Sequence, residues 1–185
     1  MLFRSAPDRA VRQLNEVMAE GIEVVGFNRI PDDKKSSGMT IVAAASYRVT
    51  LLESAGSADI TRAFPASWKA KMEEFLGQKS IVVLKKTKRS EAEVDIKPMI
   101  YQMDMEEDGI HLFLAAGSEQ NLKPDLVMRA FVEFMEEDID SVPFHYHRID
   151  VYARKTKKME TSGASCIEAA TGRGNCKFIS LGELR

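Results

Sequence analysis

VPFHYHRIDVYARKTKK, residues 142–158, holds two of the chain's three histidines, two tyrosines, two arginines and a basic run. Side chains alternate along an extended strand. His145, His147, Ile149 and Val151 therefore read as one face, and Tyr146, Arg148, Asp150 and Tyr152 as the other. The stretch predicts a final β-strand near 144–153, and Ile149 and Val151 predict that its histidine-bearing face turns inward at the later end.

Upstream, NLKPDLVMRAFVEFMEED (121–138) puts Leu126, Val127, Ala130, Phe131, Phe134 and Met135 on a helical stripe behind Pro124, predicting a helix near 122–137. IYQMDM (100–105) and IHLFLAA (110–116) flank Asp108-Gly109, a two-residue hairpin signal. KSIVVLKKTK (79–88) reads as a buried strand emerging into water. FPASWKAKMEEFLGQ (64–78) carries Trp68, Met72, Phe75 and Leu76 on one stripe and predicts a helix near 65–77. SYRVTLLE (46–53) is the first strand of this body.

The order strand, helix, strand, strand, helix, strand predicts an α+β ferredoxin-like sandwich with an extra strand before the hairpin. Its sheet would be mainly antiparallel, with two helices on one face and the other face open. Residues 1–35 form an N-terminal helix-strand arm, 36–154 the ferredoxin-like domain and 155–185 a flexible basic, Gly/Ser-containing tail without a packed role. In the arm, Val11, Leu14, Val17 and Met18 follow a helical spacing opened by Pro7 and Asp8 and ended by Gly21, and a short strand over 22–30 follows. A helix and a strand cannot bury their apolar faces alone, so the arm must dock on the body or on another chain.

Composition narrows the function classes. With 185 residues, 44% hydrophobic, the chain is sized for one ordinary core. A net charge of −2 gives no global attraction to nucleic acid or anionic lipid, so any such binding is local. The longest apolar run, MTIVAAA, is far short of the roughly 20 residues of a membrane span, and MLFRSAPDRA has no signal-peptide pattern. These features predict a cytoplasmic protein without a membrane partner. Cys166 and Cys176 read as reduced thiols, with a tail disulfide as the alternative.

No catalytic residue, cofactor or metal site is read from the sequence. Phosphate-loop, dinucleotide, iron–sulfur, zincin and nucleophile-elbow motifs are all missing. His145 and His147 share a strand face and can pair on a metal, but zinc takes three or four protein ligands, and only Asp140 and distant His111 are on offer. The Glu-Glu-Asp runs at 106–108 and 136–138 read as solvated.

LKKTKR (84–89) and ARKTKK (153–158) are near-copies, each following the apolar part of a strand. In a ferredoxin-like sheet both leave at one end, and strands about 4.8 Å apart place the exits roughly 15 to 20 Å apart. Lys85, Lys86, Lys88, Arg89, Arg154, Lys155, Lys157 and Lys158 are therefore candidate contacts to a nucleic-acid backbone, and Arg148 joins them as a candidate nucleic-acid or partner contact on the last strand. The competing reading is of lysines that protect strand ends from aggregation.

VDIKPMI (94–100), GIHLFLAAGSEQNLKPDLVMRAF (109–131) and HRIDVYAR (147–154) resemble the C-terminal half of the bacterial radical SAM-linked protein family. This domain is fused to, or encoded beside, cobalamin-binding-type radical SAM proteins. LNEVMAEGIEVVGFNRI and AAASYRVTLLE resemble the segments joining its halves, so the similarity spans about residues 10 to 154. The positions matching the family pattern are Asp95, Lys97, Pro98, Lys123, Pro124 and Arg148, and none carries an assigned catalytic role. The His-Leu-Asp and Gly-Phe-Asn-Pro-His-Pro motifs of the family's N-terminal region do not occur here, which predicts that the arm is the end of a first α+β half whose beginning is absent through truncation, gene splitting or a partner chain, or else a homo-oligomer contact.

The resemblance implies a non-catalytic accessory module of a radical SAM protein, and the basic clusters point to RNA or a ribosome-related substrate. A stand-alone RNA-binding module is the alternative. A small transferase or hydrolase with an unrecognised site is the third.

Overall fold

The computed structural model describes residues 6–27, 38–52, 61–86, 91–137, 142–155, 166–171 and 174–183. In chain order the elements are α1 (Pro7–Asn15), β1 (Val42–Leu52), β2 (Thr61–Arg62), α2 (Ser67–Gly77), β3 (Val82–Lys86), β4 (Glu91–Asp95), β5 (Ile100–Glu106), β6 (Gly109–Ala115), α3 (Pro124–Phe134), β7 (Phe144–Arg154), β8 (Ile167–Thr171) and β9 (Gly174–Ser180).

The architecture is α+β but not a ferredoxin-like sandwich. An antiparallel sheet runs in the order β5-β6-β1-β7-β9-β8, with the short β2 added to β1. Its two ends meet: β5 contacts β8, and Tyr101 of β5 stacks on Phe178 of β9 with centroids 5.2 Å apart. The sheet is thus nearly closed into a barrel.

Two features overturn the sandwich. The strand after α2, expected inside the sheet, pairs among the described residues only with β4, as a separate two-stranded ribbon. Residues 155–185, expected to be a flexible tail, supply β8 and β9; Phe178 and Ile179 are fully buried, and β9 pairs with the end of β7. With these strands added, the second face of the sheet is covered at that end.

On the outer face α2 and α3 cover a core to which Trp68, Met72 and Phe75 contribute from α2 and Val127, Met128 and Phe131 from α3. The Trp68 and Phe131 rings meet edge to face with centroids 5.6 Å apart, a geometry worth about 1 kcal/mol beyond the area it buries. Val49, Ile110, Leu112, Leu114 and Met103 meet them from the sheet. On the inner face, Phe113 packs edge-on against both Phe178 and Tyr152, while Ala44 and Ala169 leave room for the rings. Alanine is a poor strand former, so the predicted first strand begins too late, at 46; the alanines belong to β1 because only small side chains fit under this plug.

The arm contains α1 but no described strand over 22–27. No residue of α1 is buried. Asn15 holds the following segment back on the helix, donating to Val24 O at 3.0 Å and accepting from Val24 N at 2.7 Å. No helix among the described residues is long and apolar enough to cross a membrane.

Candidate functional site

Cross-strand partners in register share a face. Asp104 pairs with His111, His111 with Arg48 and Arg48 with His147, so these four form one transverse row over β5, β6, β1 and β7. The row lies on the inner face, beside the aromatic plug. Thr50 and His145, paired one step along, extend it, so all three histidines of the chain occupy one face. β8 and β9 cover only the other end of that face, since β9 pairs with residues 152–154 of β7 alone. Among the described residues nothing covers the histidine row, and His145 and His147 are exposed, so it forms a mouth of the nearly closed barrel, the kind of place where barrels bind ligands.

A β-bulge aligns the face. Ser46 pairs with Asp150 but Tyr47 pairs with Arg148, which leaves Ile149 as an extra residue in β7, half exposed. The alternation expected from the sequence is reset there. Asp150 and Tyr152 join the histidines' face, and Ser46 Oγ lies 3.3 Å from the Tyr152 hydroxyl. Arg148, expected beside Asp150 and Tyr152, instead pairs with Tyr47 on the outer side and is exposed.

At the edge of the row the β5–β6 turn folds back. Asp108 accepts from His111 Nε2 at 2.7 Å through Oδ1 and from Arg48 Nη1 at 3.1 Å through Oδ2. These two partners, His111 first, hold the Asp108 carboxyl below its ordinary value. Glu106 Oε2 lies 4.0 Å from the same imidazole nitrogen. The Glu-Glu-Asp run at 106–108, read as merely solvated, thus organises a histidine and an arginine from two strands. The cluster was not visible in the sequence because its members are joined by register, although the Asp-Gly hairpin signal already placed Asp108 at the turn.

A cleft of about 400 Å³ opens beside it, lined by Thr50, Phe64, Met105, Glu106, Asp108 and Gly109 among others. Thr50 Oγ1 and Arg48 Nε are buried and have no hydrogen-bond partner among the described residues.

The fold changes the argument for the predicted basic surface. β3 lies outside the main sheet, so the strand-spacing argument that put its exit beside that of β7 no longer applies. Lys85 and Lys86 pair in register with Ala92 and Glu91 of β4. Lys88, Arg89, Lys157, Lys158 and Asp140 lie outside the described residues. Arg154 is half-buried at the end of β7 opposite Phe178, and Lys155 donates its backbone N–H to Lys177 O at 2.7 Å and its Nζ to Cys166 Sγ at 3.5 Å.

The family-like positions Asp95, Lys97, Pro98, Lys123 and Pro124 fall at a strand end, in a turn and at a helix start. Asp95 Oδ1 accepts from Ile81 N and Lys97 N, and Lys97 Nζ donates to Leu76 O in the last turn of α2. Pro98 sits in the 3₁₀ turn Lys97–Met99. Lys123 is the residue before α3, and Pro124 is its first, where a missing N–H costs no helical bond.

The fold and its polar mouth define a nearly closed antiparallel α+β barrel with a histidine-lined face. Residues 2–124 match the family model DUF2344, described as an uncharacterized protein conserved in bacteria, and the chain belongs to that family. No curated protein and no solved structure matches it.

Proposed function

We propose that this protein is a non-catalytic accessory module that docks on a radical SAM enzyme through its N-terminal arm. The observation that carries the reading is the arm itself: Val17 is 79% exposed, Ile22 61% and Val25 91%, while α1 buries nothing. The Asn15–Val24 clamp keeps helix and following segment together, so little conformational entropy remains to be lost when a partner covers them. Exposed apolar side chains at this density mark a protein-interaction surface. The class of partner comes from the resemblance carried by VDIKPMI and the 109–131 segment, whose relatives are fused to or encoded beside such enzymes.

The test is co-purification of the tagged full chain from native cells, with iron–sulfur proteins sought in the eluate. Retention of an iron–sulfur protein at stoichiometric level is expected, and Val25→Asp with Phe27→Asp should abolish it without shifting the melting temperature. Retention that survives the double substitution would remove the arm from the interface, and no retention would remove the partner. Association lost on nuclease treatment would transfer the role to RNA as the bridging ligand.

A further inference from the structure

We infer that Glu106, Asp108 and His111 form a divalent transition-metal site whose open coordination positions face the cleft beside Thr50. The three offer one ligand atom each within 4.8 Å of one another. Around a first-row ion bonded at about 2.1 Å, adjacent ligand atoms stand about 3 to 3.4 Å apart. The separations of 2.7 Å from His111 Nε2 to Asp108 Oδ1 and 4.0 Å to Glu106 Oε2 bracket that value, so small side-chain rotations suffice. Glu106 and His111 project from β5 and β6 on the same face, and Asp108 reaches back from the turn. The ligands therefore stand on a hairpin fixed by backbone register.

Arg48 supplies the outer shell. It holds Asp108 Oδ2 and leaves Oδ1 for an ion, the arrangement by which outer hydrogen bonds orient ligating carboxylates. It also offsets one of the two carboxylate charges, which disfavours hard ions held by charge alone. One imidazole and two carboxylates select a borderline ion, so Zn²⁺ binds more tightly than Mn²⁺ and Mg²⁺ least.

A separate observation points to a ligand here. The 400 Å³ cleft shares Glu106 and Asp108 with the cluster, and Thr50 of the neighbouring strand lines it as well. Three protein ligands leave positions free on an ion of this kind, as in sites that bind a small molecule. Phe64 and Met105 give the cleft an apolar wall. The ligand class is a small molecule with an oxygen or nitrogen donor for the ion and an apolar body. The inference is independent of the docking role of the arm.

The experiment is isothermal titration of the chelator-treated full chain, with Cys166→Ser and Cys176→Ser to remove thiolate binding, against ZnCl₂ and MnCl₂ separately. One equivalent of Zn²⁺ is expected. His111→Ala and the shape-preserving Glu106→Gln should each weaken binding at least tenfold, whereas His147→Ala, two strands away across β1, leaves it unchanged. Imidazole nitrogen resonances read the same site directly: Zn²⁺ should move His111 before His145 or His147, with melting curves showing each variant folded. Absence of heat with both ions, or binding that survives His111→Ala and Glu106→Gln, overturns the inference. So does a first response at His145 or His147.

Discussion

Gly109 lies so close to Val49 that a Cβ on it would stand 2.4 Å from the Val49 carbonyl oxygen, and its φ of +144° is one that side-chain-bearing residues rarely adopt. This glycine opens β6 against the middle of the sheet. Gly109→Ala should destabilise the fold by about 2 to 4 kcal/mol through strain and displacement of β1. Gly117, whose Cβ would meet Val42 O at 2.2 Å, should behave alike. Denaturant unfolding of both variants checks this, and a change below the measurement error would show that β1 yields easily.

Phe178 makes the C-terminal residues part of the fold. It is fully buried between Tyr101 and Phe113. Phe178→Ala should cost about 3 to 5 kcal/mol, as large-to-small changes in a packed core do. Deleting residues 165–185 should uncover the plug and increase binding of a hydrophobic dye. A truncated chain that melts like the full one would mean that β8 and β9 add nothing to the core.

Asp108 gives a pH signature. Its folded carboxyl titrates below its ordinary value because His111 and Arg48 bond to the ionised form. The contribution to stability is present above the unfolded value, about 3.9, and is lost as pH falls through the lowered folded value. Carboxyl NMR should find this midpoint below those of other exposed aspartates. His111→Ala should raise it more than Arg48→Ala, since the histidine bond is the larger cause.

Tyr146 behaves in the opposite sense. It packs on the outer core, and burial first, then the charge of Asp125, raises its phenol, with Arg129 opposing. An unfolded tyrosine ionises near pH 10, so stability falls as pH rises beyond that value while the folded phenol keeps its proton. Tyr146→Phe should reduce this alkaline loss of stability, read from melting curves at successive pH values. An unchanged alkaline slope would place the phenol in contact with water.

The helices were legible because Trp68, Met72 and Phe75, and Val127 to Phe131, repeat at helical spacing and face one core. The hairpin was legible from Asp108-Gly109. Sheet membership was not. β3 and the residue before it have the apolar content of a central strand, yet only alternate residues, Ile81 and Val83, enter the core, while Val82 and Leu84 stay exposed. β4 went unseen because Glu91, Ala92 and Glu93 have no apolar alternation and are exposed. The candidate site suffered most from the bulge at Ile149. A strict period of two put Asp150 and Tyr152 opposite the histidines, and one extra residue reverses that. His111, Arg48 and Asp108 come together through pairing between β1 and β6, a relation no single stretch of sequence contains.

The residues shared with the resembled family offer the sharpest separation of structure from function. Asp95 Oδ1 accepts from Ile81 N at 2.9 Å and from Lys97 N at 3.0 Å, and Ile96 N donates to Ile81 O at 2.8 Å. One carboxylate thus ties the start of the β3–β4 ribbon to the turn that leads into β5. Lys97 then reaches the Leu76 carbonyl at the end of α2, where a cation also favours the helix dipole. Asp95→Ala leaves two backbone donors without this acceptor and should cost about 1 to 3 kcal/mol, while Asp95→Asn, which keeps an oxygen in place, should cost less. Lys97→Met should cost about 0.5 to 1 kcal/mol. If the motif is a fold device, all three variants lose stability in denaturant titration yet still bind the partner at temperatures where they are folded. A variant with unchanged stability and lost partner binding would instead put Asp95 and Lys97 in the interface.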